Sequence, residues 1–431
     1  MEYIQNLLTT VSNFVWGWPM AIILLGAGFF LTARTLLIQV RGFAHGVGIA
    51  TGKYDDPAHK GQLTHFQALT AALSATIGIG NIAGVALGIY WGGPGAIFWM
   101  WLTAAFGMAI KYAECTLAIQ YRKVEADGNI RGGPMYFIEL GMHRYFKPLA
   151  WMFAICTAVA AFGAGNMVQS NTMAHSLIDG LRISPDDEAW VRWVIGFIVA
   201  GLAGTVIIGG IRRIGHVASY LVPFMSVVYV ASAIVVLIIQ RDQIIPAFNM
   251  IFYHAFNPTA VVGGSASGAT VWLTFTWGLR RGLFSNEAGQ GSAAMAHSTA
   301  KVEEPVREGL VAMLGPFIDT IVICTMTALV IISSGVWDSG ISGAPLTMAA
   351  FDKILPVYGE WMVVVGVALF SFSTVLAWSY YGEKGAEYVG GKGIKLPYKW
   401  IFVVFTLLGA RFDLHSVWAY ADVANGLMAV P

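Results

Sequence analysis

Two short polar runs stand where a membrane-spanning helix should be most apolar: TIGIGN, Thr76 to Asn81, and LFSNEAGQGSA, Leu283 to Ala293. Each lies inside a stretch long enough to cross a bilayer, and each is rich in glycine, which tolerates the backbone conformations that interrupt a helix. A helix opened at bilayer depth leaves N–H and C=O groups without partners, and hydrocarbon does not tolerate these unless protein or a hydrated cavity satisfies them. Such breaks therefore mark a site. A half-helix N-terminus offers N–H donors to an anionic group, while freed carbonyls offer oxygen to a cation. Close packing of glycines in a GxxxG manner is the other reading of the first run, and it leaves the polar Asn81 unexplained. Two broken spans far apart in the chain suit a membrane carrier.

The elements that must position these runs follow from composition. With 57% hydrophobic and only 11% charged residues, the chain is far more apolar than a soluble domain, where about 25% is charged. It belongs in lipid. The formal net charge of +1 provides no basic field for nucleic acid. Cys115, Cys156 and Cys324 are scattered without a CxxC or His pairing, so neither a disulfide framework nor a zinc site is indicated. The stretch from Trp18 to Val40 has no basic leader and no small-residue cleavage site, and reads as a first span rather than a cleavable signal. At roughly 20 apolar residues per crossing, spans fall near 18–40, 66–91, 95–121, 149–178, 190–210, 216–239, 265–300, 309–335, 358–382, 398–412 and 414–431. The expected fold is an all-α polytopic membrane protein of eleven transmembrane helices, two of them discontinuous.

An outside N-terminus leaves sixteen Lys and Arg in inside loops, from Arg41, Lys53 and Lys60 through to Lys384, Lys392, Lys395 and Lys399. The opposite loops hold only Arg182, Arg192, Arg241, Lys353 and Arg411. The positive-inside rule then places the N-terminus outside and the C-terminus in the cytoplasm. Setting the first span apart leaves ten, with the broken spans at the first and sixth places. Five plus five follows, and because five is odd the second half must be inverted relative to the first. The expected division is 1–63 for the extra helix and its cytoplasmic loop, 64–240 for the first repeat and 263–431 for the second. Ser339 to Leu355 is long enough for an outer helix, and Arg131 to Met142 reads as an amphipathic helix on the inner surface. Either could gate the site or only fill space.

GLRRGLFSNEAGQGSAAMAHSTA (Gly278 to Ala300), TIGIGNIAGVA (Thr76 to Ala86), GNMVQSN (Gly165 to Asn171), SYYGEK (Ser379 to Lys384) and DVANGLMAVP (Asp422 to Pro431) together resemble the alanine or glycine:cation symporter family. The resemblance covers nearly the whole chain, and FSNEAG with its trailing AHS is a long, specific string. It implies sodium-coupled uptake of small neutral amino acids, alanine and glycine first, across the cell membrane. It also implies the ten-helix fold shared with the leucine transporter. Sodium is then a coupling ion, and no cofactor is expected. The oligomeric state stays open.

On that expectation the breaks acquire roles. A zwitterionic amino acid needs clustered N–H donors close to clustered carbonyls, and an unwound helix gives both. The N–H groups of Ile79 and Gly80 would point at the carboxylate. The carbonyls of Thr76 and of Phe284, Ser285 and Asn286 would face the ammonium. The likeness of GIGN to the leucine transporter's Gly-x-Gly-Asn carries one sodium site over by position. Its ligands would be the carbonyls of Ser74, Ile77 and Phe370 and the hydroxyls of Ser373 and Thr374, oxygen being what a hard cation prefers. Adjacent Ser and Thr in a membrane helix also commonly bond back to the preceding turn. A second sodium at Asn81 and the substrate carboxylate would need ligands on the sixth and seventh helices that do not align. Trp378, one turn beyond Thr374 on the same face, would limit the side chain to a methyl or hydrogen. Asn166 and Gln169, three apart, should share an inward face, as substrate contacts or as glue between helices.

Intramembrane charges are the other candidates. Lys111 and Glu114, three apart, should pair with each other or with a neighbour. Arg280, Arg281, Glu287, Asp319 and Asp422 read as an internal ion-pair network or inner gate, with a proton relay through Glu287 as the sharper alternative. His297 reads as an interfacial residue. The nearest competing function is a proton-driven carrier of the same substrates. A channel fits less well, since filters usually repeat symmetrically. No Ser/His/Asp order or HExxH supports an enzyme. GIATGK (Gly48 to Lys53) lacks phosphate-loop spacing, and the Gly-rich breaks lack the strand and acidic residue of a dinucleotide site.

Overall fold

The computed structural model describes residues 16–126, 128–257, 270–412, 423 and 425–429. Helix α1 (Trp18–Arg34) begins with a proline in its first turn, where the missing N–H costs nothing. It ends short of the expected boundary at 40 because Leu36 and Leu37 take left-handed conformations. Helix α2 (His65–Thr76) opens on a capping box, with the Thr64 side chain and Gln67 satisfying each other's backbone N–H groups. After a 3₁₀ turn at Ile79–Asn81 the chain resumes as α3 (Ala83–Gly92), bent by 59° from α2. The unbroken α4 (Ala96–Gln120) follows.

A small hairpin, β1 (Lys123–Val124) and β2 (Ile130–Arg131), pairs Lys123 with Arg131 and precedes the short amphipathic α5 (Pro134–Gly141). The next span is α6 (Lys147–Phe162), a π turn at Gly163–Met167, and α7 (Val168–Gly180). Then come α8 (Pro185–Ile207), α9 (Gly210–Ile239) and α10 (Arg241–Phe256). The second broken pair is α11 (Val271–Asn286) and α12 (Ser292–His297). Helix α13 (Pro305–Ala312) leads through a π segment at Phe317–Cys324 into α14 (Thr325–Ser334). The remaining helices are α15 (Ala344–Ile354), α16 (Tyr358–Gly390) and α17 (Lys395–Gly409).

Among the described residues six helices are long and apolar enough to cross a membrane, or seven with the bent α2–α3 pair counted as one. The expected eleventh span, 414–431, lies mostly outside the described residues. Three features depart from the sequence reading. Helix α16 runs eight residues past the expected end at 382. The hairpin was not foreseen. Helix α10 occupies what reads as an outer loop, and it holds there because Ala247, Ile251 and Ala255, four apart, bury one stripe against α4 and α14.

Large apolar side chains cover the outside of the helices, while a polar cluster sits inside an otherwise apolar core. Ile22, Phe29 and Phe30 of α1, Phe197 and Leu202 of α8, and Phe224 and Val227 of α9 face outward, while Ser74, Asn81, Asn171, Asn286 and Asp319 are fully buried. Lipid rewards that arrangement, since tails solvate large aliphatics and only protein can satisfy amides and carboxylates. Helix α1 packs through Met20, Ala21 and Leu24 on Leu279 and Leu283, bracing the half-helix that leads into the second break.

Candidate functional site

Helix α2 stops because Ile77 leaves helical dihedrals (φ −75°, ψ 86°) and Gly78 is extended. Space dictates the glycine: a Cβ at Gly78 would lie 2.5 Å from Thr374 Oγ1 and 3.3 Å from Gln169 Oε1. Asn81 holds the turn. Its Oδ1 accepts the Gly78 N–H at 2.9 Å, and its Nδ2 donates to Asp319 Oδ1 at 2.6 Å. The Ser285 and Thr320 hydroxyls donate to Asp319 Oδ2 at 2.8 and 2.7 Å. One buried carboxylate thus ties the first break to the end of α11 and to the Phe317–Cys324 segment.

The second break is the five residues between α11 and α12, of which Glu287, Gly289 and Gly291 are left-handed. Its freed backbone is satisfied locally: Gln290 Nε2 donates to the Leu283 carbonyl at 3.1 Å, and Asn286 Oδ1 accepts the Ala288 N–H at 3.0 Å. The two breaks meet backbone to backbone, a Cβ at Gly80 lying 3.4 Å from Ser285 Cα.

Between them is a small buried cavity with about 240 Å³ of empty space. Room for a water centre amounts to about 10 Å³, roughly one water. Of the ten residues expected to bind substrate, Thr76, Gly80, Gln169, Phe284 and Trp378 line it, together with Ala75, Gly78, Ala164, Glu287, Thr374 and Asn425. Ile79 joins through its N–H, which donates to Gln169 Oε1 at 3.3 Å, while Gln169 Nε2 is held by the Ala164 carbonyl at 3.0 Å. The Asn81, Ser285 and Asn286 side chains turn away, the first two to Asp319 and the third to Thr320 Oγ1 at 3.3 Å. Asn166 departs most from expectation, donating to the Phe402 carbonyl on α17 at 2.8 Å. The π turn that contains it winds more residues per turn, so Asn166 and Gln169 no longer share a face.

Trp378 seats its ring on Gly165, where a Cβ would lie 2.2 Å from the tryptophan's own Cβ and Cγ. Its indole N–H donates to Glu287 Oε1 at 2.9 Å. The five oxygen groups expected to hold an ion gather beside the cavity, where α2 meets α16. Ser373 Oγ lies 3.3, 3.4 and 2.9 Å from the carbonyl oxygens of Ser74, Ile77 and Phe370, and Thr374 Oγ1 lies 3.0 Å from the last of these. All five residues are buried, and Thr374 borders both the junction and the cavity.

Two further expectations are corrected, the first in part. Among the described residues no bond joins Lys111 to Glu114: Glu114 instead pairs with a neighbour, its Oε1 accepting the Gly291 N–H at 3.4 Å, while Lys111 Nζ is buried with no hydrogen-bond partner among those residues. His297 is not interfacial. Its Nδ1 lies 2.5 Å from Glu308 Oε1, and His65 Nδ1 lies 2.5 Å from Glu308 Oε2, so one carboxylate joins the start of α2 to the end of α12.

Sequence reasoning placed Glu287 beside the break without aiming it at the cavity, and gave Asn425 no role. The only available signal for Asn425 was an amide in an apolar stretch. It is buried, lines the cavity, and its Oδ1 has no hydrogen-bond partner among the described residues.

Two broken spans meeting around a small polar cavity within apolar helices define a membrane carrier. Its fold is leucine-transporter-like: MhsT, solved in complex with L-phenylalanine, matches with a TM-score of 0.60 at 12% identity, over 86% of this chain and 89% of that one. The profile of the Sodium:alanine symporter family matches residues 1–431, and the chain belongs to that family. The sodium/alanine symporter AgcS of Methanococcus maripaludis is 46% identical over 438 residues, covering 100% of this chain and 93% of that protein. The putative sodium/proton-dependent alanine carrier protein YrbD of Bacillus subtilis is 33% identical, over 98% and 87% of the two chains. The protein is a multi-pass membrane transporter and not an enzyme.

Proposed function

We propose that this chain is a sodium-coupled symporter that takes up small neutral amino acids, alanine and glycine, by alternating access. The observation that carries this reading is the junction of carbonyl and hydroxyl oxygens from Ser74, Ile77, Phe370, Ser373 and Thr374, which shares Thr374 with the cavity. Oxygen-only ligands suit a hard cation, and a set with no carboxylate suits a single charge. The adjoining cavity is small, and Phe284 and Trp378 wall it, which favours a methyl or hydrogen side chain. The substrate carboxylate is placed at the N–H groups of Ile79 and Gly80, where the Gln169 amide yields to it.

The architecture in this reading is one extra helix with its loop (1–63) followed by inverted repeats at 64–240 and 263–431. Eleven crossings start outside and finish in the cytoplasm of the cell membrane, and no cofactor beyond the ion takes part. The positive-inside count supports the orientation, and the places of the two breaks support the repeat. A proton-driven carrier is the second reading, favoured by the buried Glu287 at the cavity; YrbD's own name pairs sodium with protons. Proteoliposomes loaded so that sodium and pH gradients are imposed separately decide between them. The sodium gradient alone should concentrate labelled alanine. Accumulation driven by the pH gradient alone, indifferent to sodium, would replace the first reading with the second.

A further inference from the structure

We propose that Glu287 is the acceptor for the ammonium of the amino-acid substrate, and that the same carboxylate, by holding the Trp378 indole, joins recognition of charge to the limit on size. The inference rests on the reading of the cavity as an amino-acid site. Five non-glycine residues among those described have left-handed backbones: Leu36, Leu37, Arg182, Glu287 and Val357. Four are exposed, and Glu287 alone is buried, at 2% exposure. A side chain held in that conformation in the interior is a strained position that the surroundings must enforce, and such positions cluster where ligands are clamped. The following residues are small, Ala288 and Gly289, so the strain at 287 is kept for the side chain it carries.

That side chain lines the cavity with Gly80, Gln169, Phe284 and Trp378. Its oxygens accept, among the described residues, from neutral donors only, Trp378 Nε1 at 2.9 Å and Ser292 Oγ at 2.5 Å. A carboxylate has about four acceptor positions, so two of these are left over. Among the described residues no lysine, arginine or histidine nitrogen lies within the 4.0 Å of an ion pair with Glu287. The buried Lys111 ammonium acts on Glu287 through the electrostatic field, but among the described residues no hydrogen bond joins the two. A buried carboxylate with no cation bonded to it is expensive in a membrane interior, and in the proposed site the substrate ammonium is the cation that bonds it. The arrangement also divides the substrate. In this pose the N–H donors of the first break take the carboxylate, Glu287 of the second break takes the ammonium, and Trp378, bonded to Glu287, limits the side chain.

The test pairs a change in the protein with a change in the ligand. L-lactate carries alanine's carboxylate and methyl with a hydroxyl in place of the ammonium, and binding of labelled L-alanine and its competition by L-lactate are measured on purified protein in saturating sodium. Glu287→Gln keeps the size and an acceptor for the indole but removes the charge. It should weaken alanine at least about 30-fold, the scale for breaking a buried charge pair, while lactate changes by less than about threefold. The preference for alanine over lactate should collapse accordingly. Equal losses for both ligands, or alanine binding unchanged, would overturn the proposal; so would a variant that binds alanine normally but loses pH dependence of uptake, since Glu287 would then serve a proton. If Glu287→Gln yields no folded protein, Glu287→Asp retains the charge and should preserve the preference, and a lost preference there overturns it. Trp378→Phe, lacking the indole N–H, should keep the preference as well. Failure of the parent protein to bind alanine at all is a separate outcome, which removes the substrate reading and this proposal together.

Discussion

Thr374 stands in two places at once, bordering the cavity while its hydroxyl donates to the Phe370 carbonyl at 3.0 Å. Turning that hydroxyl's lone pairs toward an ion requires only a rotation of its hydrogen. Thr374→Ala removes one oxygen of five and buries no new charge, so folded yield should stay near normal. The sodium concentration giving half-maximal alanine binding should rise about tenfold or more, the worth of one bond to a charged group. Sodium titrations at fixed alanine measure this, and an unchanged midpoint takes Thr374 off the list of ligands. In the proposed site Trp378 sets the other limit, because leucine's three extra carbons would need the volume its indole fills. Trp378→Ala should let leucine or methionine compete with labelled alanine in proteoliposomes. Alanine itself should weaken by about tenfold as dispersion contacts disappear. A variant that still excludes leucine as strictly as the parent shifts the wall to Gln169 and Phe284.

At the scale of elements, the breaks were legible and the π turns were not. Gly78, Gly80 and Asn81 in an apolar run have no lipid-facing explanation, so the sequence announces the gap between α2 and α3, and FSNEAGQG does the same between α11 and α12. Gly163–Met167 looks like ordinary helix, because the cause of its π turn is tertiary: the Trp378 ring lies against Gly165 from a helix more than 200 residues away in sequence. Periodicity of 3.6 therefore grouped Asn166 with Gln169, and only the extra residue per turn separates them. Two-residue strands are too short to alternate visibly, which hid the hairpin. No local pattern links His65 to Glu308 and His297. The π turn makes its own prediction. In Gly165→Ala the added methyl must displace the tryptophan, at about 1–3 kcal/mol of overpacking. The melting temperature and alanine affinity should both fall while leucine stays excluded, the reverse of Trp378→Ala in selectivity. A Gly165→Ala protein that melts and binds like the parent would show that Trp378 does not rest on that turn.

For the whole molecule, the decisive feature of the proposed reading is that ion and substrate share the same two elements. Helix α2 contributes Ser74, and Ile77 just past its end, to the oxygen junction and Thr76 to the cavity, and α16 contributes Phe370, Ser373 and Thr374 to the junction and Trp378 to the cavity. An ion that fixes the end of α2 against α16 also fixes the floor of the cavity, so the order imposed by one ligand need not be imposed again by the other. The packing around them transmits little slack. Gly78 has no room for a Cβ beside Thr374, and Asn81 is locked to Asp319 behind it. Linkage then requires that sodium tighten alanine by the same factor as alanine tightens sodium, and such couplings are typically about 5–150-fold. Calorimetry of alanine binding with sodium and then with potassium in its place gives the first factor. Sodium titrations with and without saturating alanine give the second. The two should agree within error and lie well above unity. Equal alanine affinity in sodium and potassium would remove sodium from the cycle and leave the proton as the coupling ion.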